Sequence, residues 1–351
     1  MKKVEKFLKN LILNILLMQK HAKEVKGTET GKPSRVLLIR LNRIGDALVT
    51  TPLLSELRKD LNLKLYLLAD KKNYFVFNNN PCIDKVLIFD KGLKGIVKVL
   101  KFIKQEKIDT VADLHDDVST TVSYLVAMAK APCKFGLEKK NRKIFTRTIP
   151  RPDPVEYHVV ERLIQIAKLF SIDPEIKDAN IHFYPSERSL DFAKTFLKEK
   201  FEEQKFLLGI NISAGSDARF WGVERYRKLL ASLKDFNCNL LVISAPGDIR
   251  EAEQICGNEY PIFTSESYDN FGSVISMLNF LITPDTAAVH LASAFNIPVF
   301  GLYVQYDTDE MIWSPYKSDF EYVLTKEPNL QNVTFEEVAS VLSLFLKKYI
   351  R

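Results

Sequence analysis

Three short segments hold the residues best suited to chemistry. In NFLITPDTAAVHL (279–291) an apolar strand ends at Asp285 and Thr286, and a helix carrying His290 begins at once. A helix start leaves backbone N–H groups unpaired and carries partial positive charge, so this turn can cradle a phosphate without a Gly-rich loop. Asp285 and Thr286 can cap that helix while offering oxygens to a polyol, with Ala287 at its first position and His290 one turn further on. An ordinary N-cap with a buried, hydrogen-bonded histidine accounts for the same residues equally well. In LNRIGDALVTT (41–51), Gly45-Asp46 sets a carboxylate at the end of a strand, where a general base would serve, or where a helix cap would do no chemistry. In SAGSDARFW (213–221), Gly215 and Ser216 can turn closely around a phosphate, and Arg219 can neutralise a diphosphate bidentately; a surface arginine beside Trp221 is the plainer reading.

These segments need a scaffold that brings strand ends together. RVLLIRL (35–41), LKLYLLA (63–69), KVLIFD (85–90) and TVADLH (110–115) are apolar runs separated by helical segments such as TTPLLSELRKDL. That alternation predicts an open parallel α/β sheet with ligands at the carboxyl ends of its strands. Around RPDP (151–154) the pattern breaks, and YHVVERLIQIAKLF (157–170) resumes as a helix. A second such unit is expected from KFLLGINIS (205–213), NLLVISA (239–245), YPIFTSE (260–266), NFLIT (279–283) and IPVFGLY (297–303), which closes it. TFEEVASVLSLFLKKYI (334–350), with a Thr cap and Glu three residues later, reads as a terminal helix. The length of 351 residues suits two domains. The expected divisions are an arm and linker at 1–33, a first Rossmann-like domain at 34–185 and a second at 186–351, facing a central cleft.

Composition removes several classes. Hydrophobic residues make up 46% and charged residues 27%, enough for buried cores, and no stretch approaches the roughly 20 apolar residues of a membrane span. Cys82, Cys133, Cys238 and Cys256 lack any zinc or redox spacing. No GxGxxG follows a strand, and there is no Walker loop, HExxH, GxSxG or carboxylate cluster with metal spacing, so a metal-free, cofactor-free group transfer is expected. The net charge of +6 equals the excess of nine Lys/Arg over three Glu in residues 1–35, leaving the remainder balanced. In that arm Val4, Phe7, Leu8, Leu11, Ile12, Ile15, Leu16 and Met18 recur at helical spacing among lysines. This reads as a basic amphipathic helix on an anionic membrane surface, in preference to a signal peptide or a helix packed on its own protein. Nucleic acid is the poorer partner, since no nucleic-acid motif is present.

Three blocks in order, VLLIRLNRIGDALVTTPLLSELR, ISAGSDARFWGVERYRKLL and FLITPDTAAVHLASAFNIPVFGLY, resemble the ADP-heptose:lipopolysaccharide heptosyltransferases, glycosyltransferase family 9. The resemblance spans residue 34 to the C-terminus and implies a GT-B fold of two Rossmann-like domains. It also implies transfer of heptose from ADP-heptose, with inversion, to the lipid A-Kdo inner core at the cytoplasmic face of the inner membrane. Asp46 matches the base that deprotonates the acceptor, and Arg219 stands where a Lys usually meets the diphosphate. Asp285, Thr286, Ala287 and His290 match donor positions together with Gly215 and Ser216, Asp248 falls by the ribose and Glu266 by the adenine. The acceptor side is expected to use Arg43, His115, Lys139, Arg142 and Lys143, the last three from the basic stretch EKKNRKIFTRTIPR (138–151), with His115 and His158 also open to purely structural roles. Departures are Ala287 for the family's Gly, Gly222 for its Pro after Trp, and Arg for Lys at 219. Two alternatives remain: a GT-B relative using another nucleotide sugar, and a non-catalytic two-lobed binding protein.

Overall fold

A strand buried on both faces has no polar side to show, and the apolar runs of this chain become parallel strands for that reason. The computed structural model describes residues 32–350, so the expected amphipathic arm lies outside the described residues but for its last two positions. The chain forms two compact units that divide between Ala179 and Asn180, a little before the expected 185.

The first unit contains β1 (Arg35–Arg40), β2 (Lys64–Asp70), β3 (Lys85–Phe89), β4 (Thr110–Asp113), β5 (Cys133–Leu137) and β6 (Arg147–Ile149). All pair in parallel in the order β3-β2-β1-β4-β5-β6. Leu37 and Ile39 of β1 pack with Tyr66, Leu68, Val111 and Val122 into one core. The second unit contains β7 (Phe206–Asn211), β8 (Cys238–Ser244), β9 (Ile262–Thr264), β10 (Phe280–Pro284), β11 (Val299–Val304) and β12 (Phe320–Thr325). Its parallel order is β12-β11-β10-β7-β8-β9. Each unit therefore repeats one doubly wound order, with its first strand between its second and its fourth. Chain connections leave that first strand in opposite directions, and the gap opened at its carboxyl end is where such sheets hold ligands.

Three strands go beyond the sequence reading. β5, β6 and β12 are short or half exposed, and β12 rather than IPVFGLY closes the second sheet. The helix expected over 157–170 is α-helical only over Val159–Ile164 and tightens into a 3₁₀ turn, Gln165–Phe170, that stops at Ser171 with φ +61°. The terminal helix forms over Phe335–Leu346, with Thr334 Oγ1 accepting from Glu337 N at 3.2 Å. That bond satisfies one orphan donor of the first turn. Thr334→Ala should cost about 1 kcal/mol of unfolding free energy in a urea titration.

Candidate active site

In the first unit the chain leaves β1 through Leu41-Asn42-Arg43 and enters a short helix, Ile44–Leu48. Arg43 is the N-cap residue and supplies no side-chain cap; Asp46 lies inside the first turn. The helix-cap reading of Asp46 therefore gives way to another arrangement. Arg40, fully buried at the end of β1, donates from Nη2 to Asp46 Oδ1 at 3.1 Å, from Nε to the Asp46 carbonyl at 2.9 Å and from Nη1 to the Leu114 carbonyl at 2.5 Å. Asn42 Nδ2 donates to the same Oδ1 at 3.3 Å. Among the described residues, Oδ2 accepts no protein hydrogen bond. Thr50 Oγ1 adds a bond to the Asp46 carbonyl at 2.8 Å.

The neighbouring strand, β4, stitches itself to the same loop. His115 is fully buried; its Nδ1 lies 2.7 Å from Asp113 Oδ1, and its Nε2 accepts from Leu41 N at 3.1 Å. That pattern assigns the ring proton to Nδ1. Lys139 Nζ donates to Asp113 Oδ2 at 2.9 Å, to the His115 carbonyl at 2.7 Å and to the Asp117 carbonyl at 3.1 Å, using all three of its N–H bonds. Burial alone would push the Asp113 carboxyl up, but the Lys139 charge and the hydrogen bonds from Lys139 and His115 hold it well below the usual carboxylate range. Asp116 receives paired bonds from Arg151 and Arg162, and these outweigh burial and keep its carboxyl low as well.

Two expected acceptor contacts thus have other employment. His115 has both ring nitrogens engaged out of solvent, and the Lys139 side chain is only 4% exposed. His115 ties the end of β4 to the loop at Leu41, and Lys139 holds Asp113 and the His115 carbonyl in place. His158 caps the helix at 159, accepting from Val160 N. Arg43, Arg142 and Lys143 are exposed, Arg142 pairing with Glu138 at 2.8 Å.

In the second unit every expected donor residue sits at the carboxyl edge of one sheet. β10 delivers Asp285, whose N–H bonds the Leu302 carbonyl of β11. Thr286 is the N-cap of the helix Ala287–Ala294, its Oγ1 accepting from Ala288 N at 3.3 Å and from Asn211 Nδ2 at 3.3 Å. From β7 the loop runs through exposed Gly215 and Ser216 to a 3₁₀ turn, Asp217–Arg219. A Cβ added at Gly215 would meet nothing within 4 Å, so the space above this turn is open. Arg219 Nη2 meets Asp285 Oδ2 at 3.0 Å, and Nη1 donates to the Asp285 carbonyl at 3.3 Å. This pair, absent from the sequence reading, ties the β7 loop to the helix N-terminus across the strand-order reversal. Asp248 ends the turn after β8, and Glu266 is exposed beyond β9.

Supports lie behind this edge. Trp221, expected beside a surface arginine, is itself fully buried, with Nε1 donating to the Val333 carbonyl at 2.9 Å. Gly222 follows with φ +108°, a conformation closed to proline. His290 is buried, its ring 6.0 Å from that of Trp313. Tyr303 is buried beside Asp285, and burial, with that negative charge, raises its phenol well above the usual value.

Comparison with known proteins agrees with this architecture. The family model for glycosyltransferase family 9 (heptosyltransferase) matches residues 96–341. The chain is 23% identical over 301 residues to lipopolysaccharide heptosyltransferase 3 of Escherichia coli, covering 78% of this chain and 84% of that protein. Among solved structures it resembles a glycosyl transferase family 9 protein from Veillonella parvula, with a TM-score of 0.77 and 21% identity over 90% of this chain and 97% of the other. It also resembles the E. coli heptosyltransferase WaaC with ADP, with a TM-score of 0.71 and 17% identity over 90% and 99%. At these identities the structural likeness establishes the fold.

Proposed function

The chain belongs to glycosyltransferase family 9, and on that premise we propose that it transfers heptose from ADP-heptose to the inner core of lipopolysaccharide or lipooligosaccharide. The observation that carries this reading is the Arg219–Asp285 pair at the N-terminus of the helix Ala287–Ala294. A guanidinium beside the positive end of a helix dipole is a place for a diphosphate. Nucleotide sugars offer a diphosphate as leaving group. The name of the E. coli relative and the ADP bound to WaaC favour heptose and adenine among the possible donors.

In the mechanism, Asp46 Oδ2 takes the proton from an acceptor hydroxyl, whose oxygen forms a bond to the anomeric carbon as the bond from that carbon to the diphosphate breaks. Configuration inverts and ADP departs. Arg219 and the helix N–H groups take up the developing charge, so no metal is required. The second unit binds the nucleotide sugar, with Gly215, Ser216, Thr286, Ala287 and His290 around diphosphate and sugar, Asp248 at the ribose and Glu266 at the adenine. The first unit binds the acceptor, where exposed Arg43, Arg142 and Lys143 suit the anionic lipid A-Kdo core. The reaction takes place at the inner face of the cytoplasmic membrane, the basic arm serving as anchor. One residue supports a second reading, transfer of another sugar: Ala287 adds a methyl group at the first helical position, where the family resemblance implies Gly.

A panel of nucleotide sugars, assayed for nucleotide release and for transfer to core glycolipid, tests this. ADP-heptose should turn over while UDP- and GDP-sugars remain idle; turnover of another donor with ADP-heptose inert overturns the heptose reading. Arg219→Ala should weaken ADP binding roughly 10- to 100-fold in titration calorimetry, because a charge-assisted bond to an anion is worth about 1.5–3 kcal/mol.

A further inference from the structure

The balance of charge outside the N-terminal arm conceals a division. Split at the boundary between the two units, residues 36–179 hold 25 Lys/Arg against 18 Asp/Glu, and residues 180–351 hold 16 against 23. Outside residues 1–35 the first unit is thus at +7, and the second is at −7. Such segregation attracts an anionic surface to one unit and repels it from the other.

Within the first unit the positive charge is concentrated on one element. The stretch KGLKGIVKVLKFIKQEK (91–107) contains six lysines and a single acid, Glu106. Its core is a 13-residue helix, Leu93–Gln105, about 20 Å long. Gly92, with φ +90°, starts it, and Gly95 lets it pack tightly, since a Cβ there would fall 1.4 Å from the Asp90 carbonyl oxygen. Gly95, Val99 and Ile103 face inward, which fixes what faces out. Leu93 is 81% exposed and Val97 one turn later 50%, with exposed Lys94, Lys98, Lys101 and Lys104 on the same side. Glu106 is turned to Tyr66 and Arg35, and Asp90 is shared by Lys98 and Lys71. Among the described residues, no carboxylate lies within ion-pair distance of Lys94, Lys101 or Lys104.

Two exposed aliphatic side chains beside a row of unneutralised lysines form a surface without aromatic stacking platforms or a groove. Nucleic acid asks for those; a bilayer asks for apolar anchors at acyl depth with ammonium groups at the phosphates. We propose that the helix Leu93–Gln105 is a membrane-docking face that seats the first unit on anionic phospholipid, independently of the N-terminal arm. Leu93 and Val97 enter the interface, Lys94, Lys101 and Lys104 meet headgroup phosphates, and the charge of the two units selects which one approaches. The proposal does not depend on which sugar is transferred.

Co-sedimentation of the full chain with vesicles tests it, comparing about 30% phosphatidylglycerol in phosphatidylcholine with phosphatidylcholine alone at about 0.1 M salt. Each lysine near an anionic surface contributes roughly fivefold, so the triple variant Lys94→Gln, Lys101→Gln, Lys104→Gln should lower partitioning on the order of 100-fold. Leu93→Ser with Val97→Ser should also lower it, with little dependence on salt. Both variants should keep the parent's rate on donor and a delipidated core oligosaccharide. Parent-like partitioning of the triple variant overturns the proposal, as does a parallel loss of transfer to the lipid-free acceptor, which would make these lysines acceptor contacts. Tighter binding to duplex DNA than to the vesicles overturns it too.

Discussion

Asp46→Asn should lower the rate of transfer roughly 10²- to 10⁴-fold, the usual worth of a positioned general base, with the donor KM nearly unchanged. The substitution is close to isosteric, and the amide oxygen can still accept from Arg40 Nη2 and Asn42 Nδ2. Bonds from Arg40 Nε and Thr50 Oγ1 reach the Asp46 backbone carbonyl and survive unaltered. What disappears is the second carboxylate oxygen, the one atom of the group that the protein does not hold. In the proposed mechanism the donor-side groups belong to the other unit, which is why the loss should fall on kcat. Initial rates with saturating donor, alongside a thermal melt to establish the folded fraction, decide the matter. Full activity in the folded variant would falsify the assignment of Asp46 as base while leaving the diphosphate reading of Arg219 intact.

The local structure of both candidate segments was legible in the sequence, and partnerships between distant segments were not. A strand, a turn and a helix start are encoded within a dozen residues, so Gly45-Asp46 and Asp285-Thr286 could be placed at strand ends before any fold was known. The Arg219–Asp285 pair joins residues 66 apart, and only the adjacency of β7 and β10 brings them together. Arg40 hid inside an apolar run, where a lone cation reads as the end of a strand rather than as the holder of a carboxylate. Lys139 misled in the opposite direction: amid exposed basic residues it looked like one more surface cation, yet the β4–β5 pairing carries it under the sheet edge to Asp113. β5, β6 and β12 escaped notice because three to six residues with charged or half-exposed positions carry little periodic signal.

Lys139→Met should destabilise the protein by about 3–5 kcal/mol at neutral pH, far more than a surface lysine could. Methionine fills the aliphatic space but strands the Asp113 carboxylate, together with the carbonyls of His115 and Asp117, without their donor. Arg142→Met, on an exposed side chain of the same basic stretch, should change stability by no more than about 0.5 kcal/mol. The pH dependence follows from the depressed Asp113 carboxyl. A group whose folded value lies below its unfolded value contributes stability that is present above the unfolded value, about 4, and is lost as pH falls below it. In Lys139→Met burial dominates instead and raises the Asp113 carboxyl, so the variant's deficit should be greatest near neutrality and shrink on acidification. The double variant Asp113→Asn, Lys139→Met removes both charges and should recover part of the loss at neutral pH. Urea titrations of the parent and the three variants at neutral and mildly acidic pH measure each of these terms. If Lys139→Met unfolds at the parent's midpoint, the buried ion pair is not what holds the β4 exit against Leu41, and the support for the Asp46 loop must come from Arg40 and the Leu114 carbonyl alone.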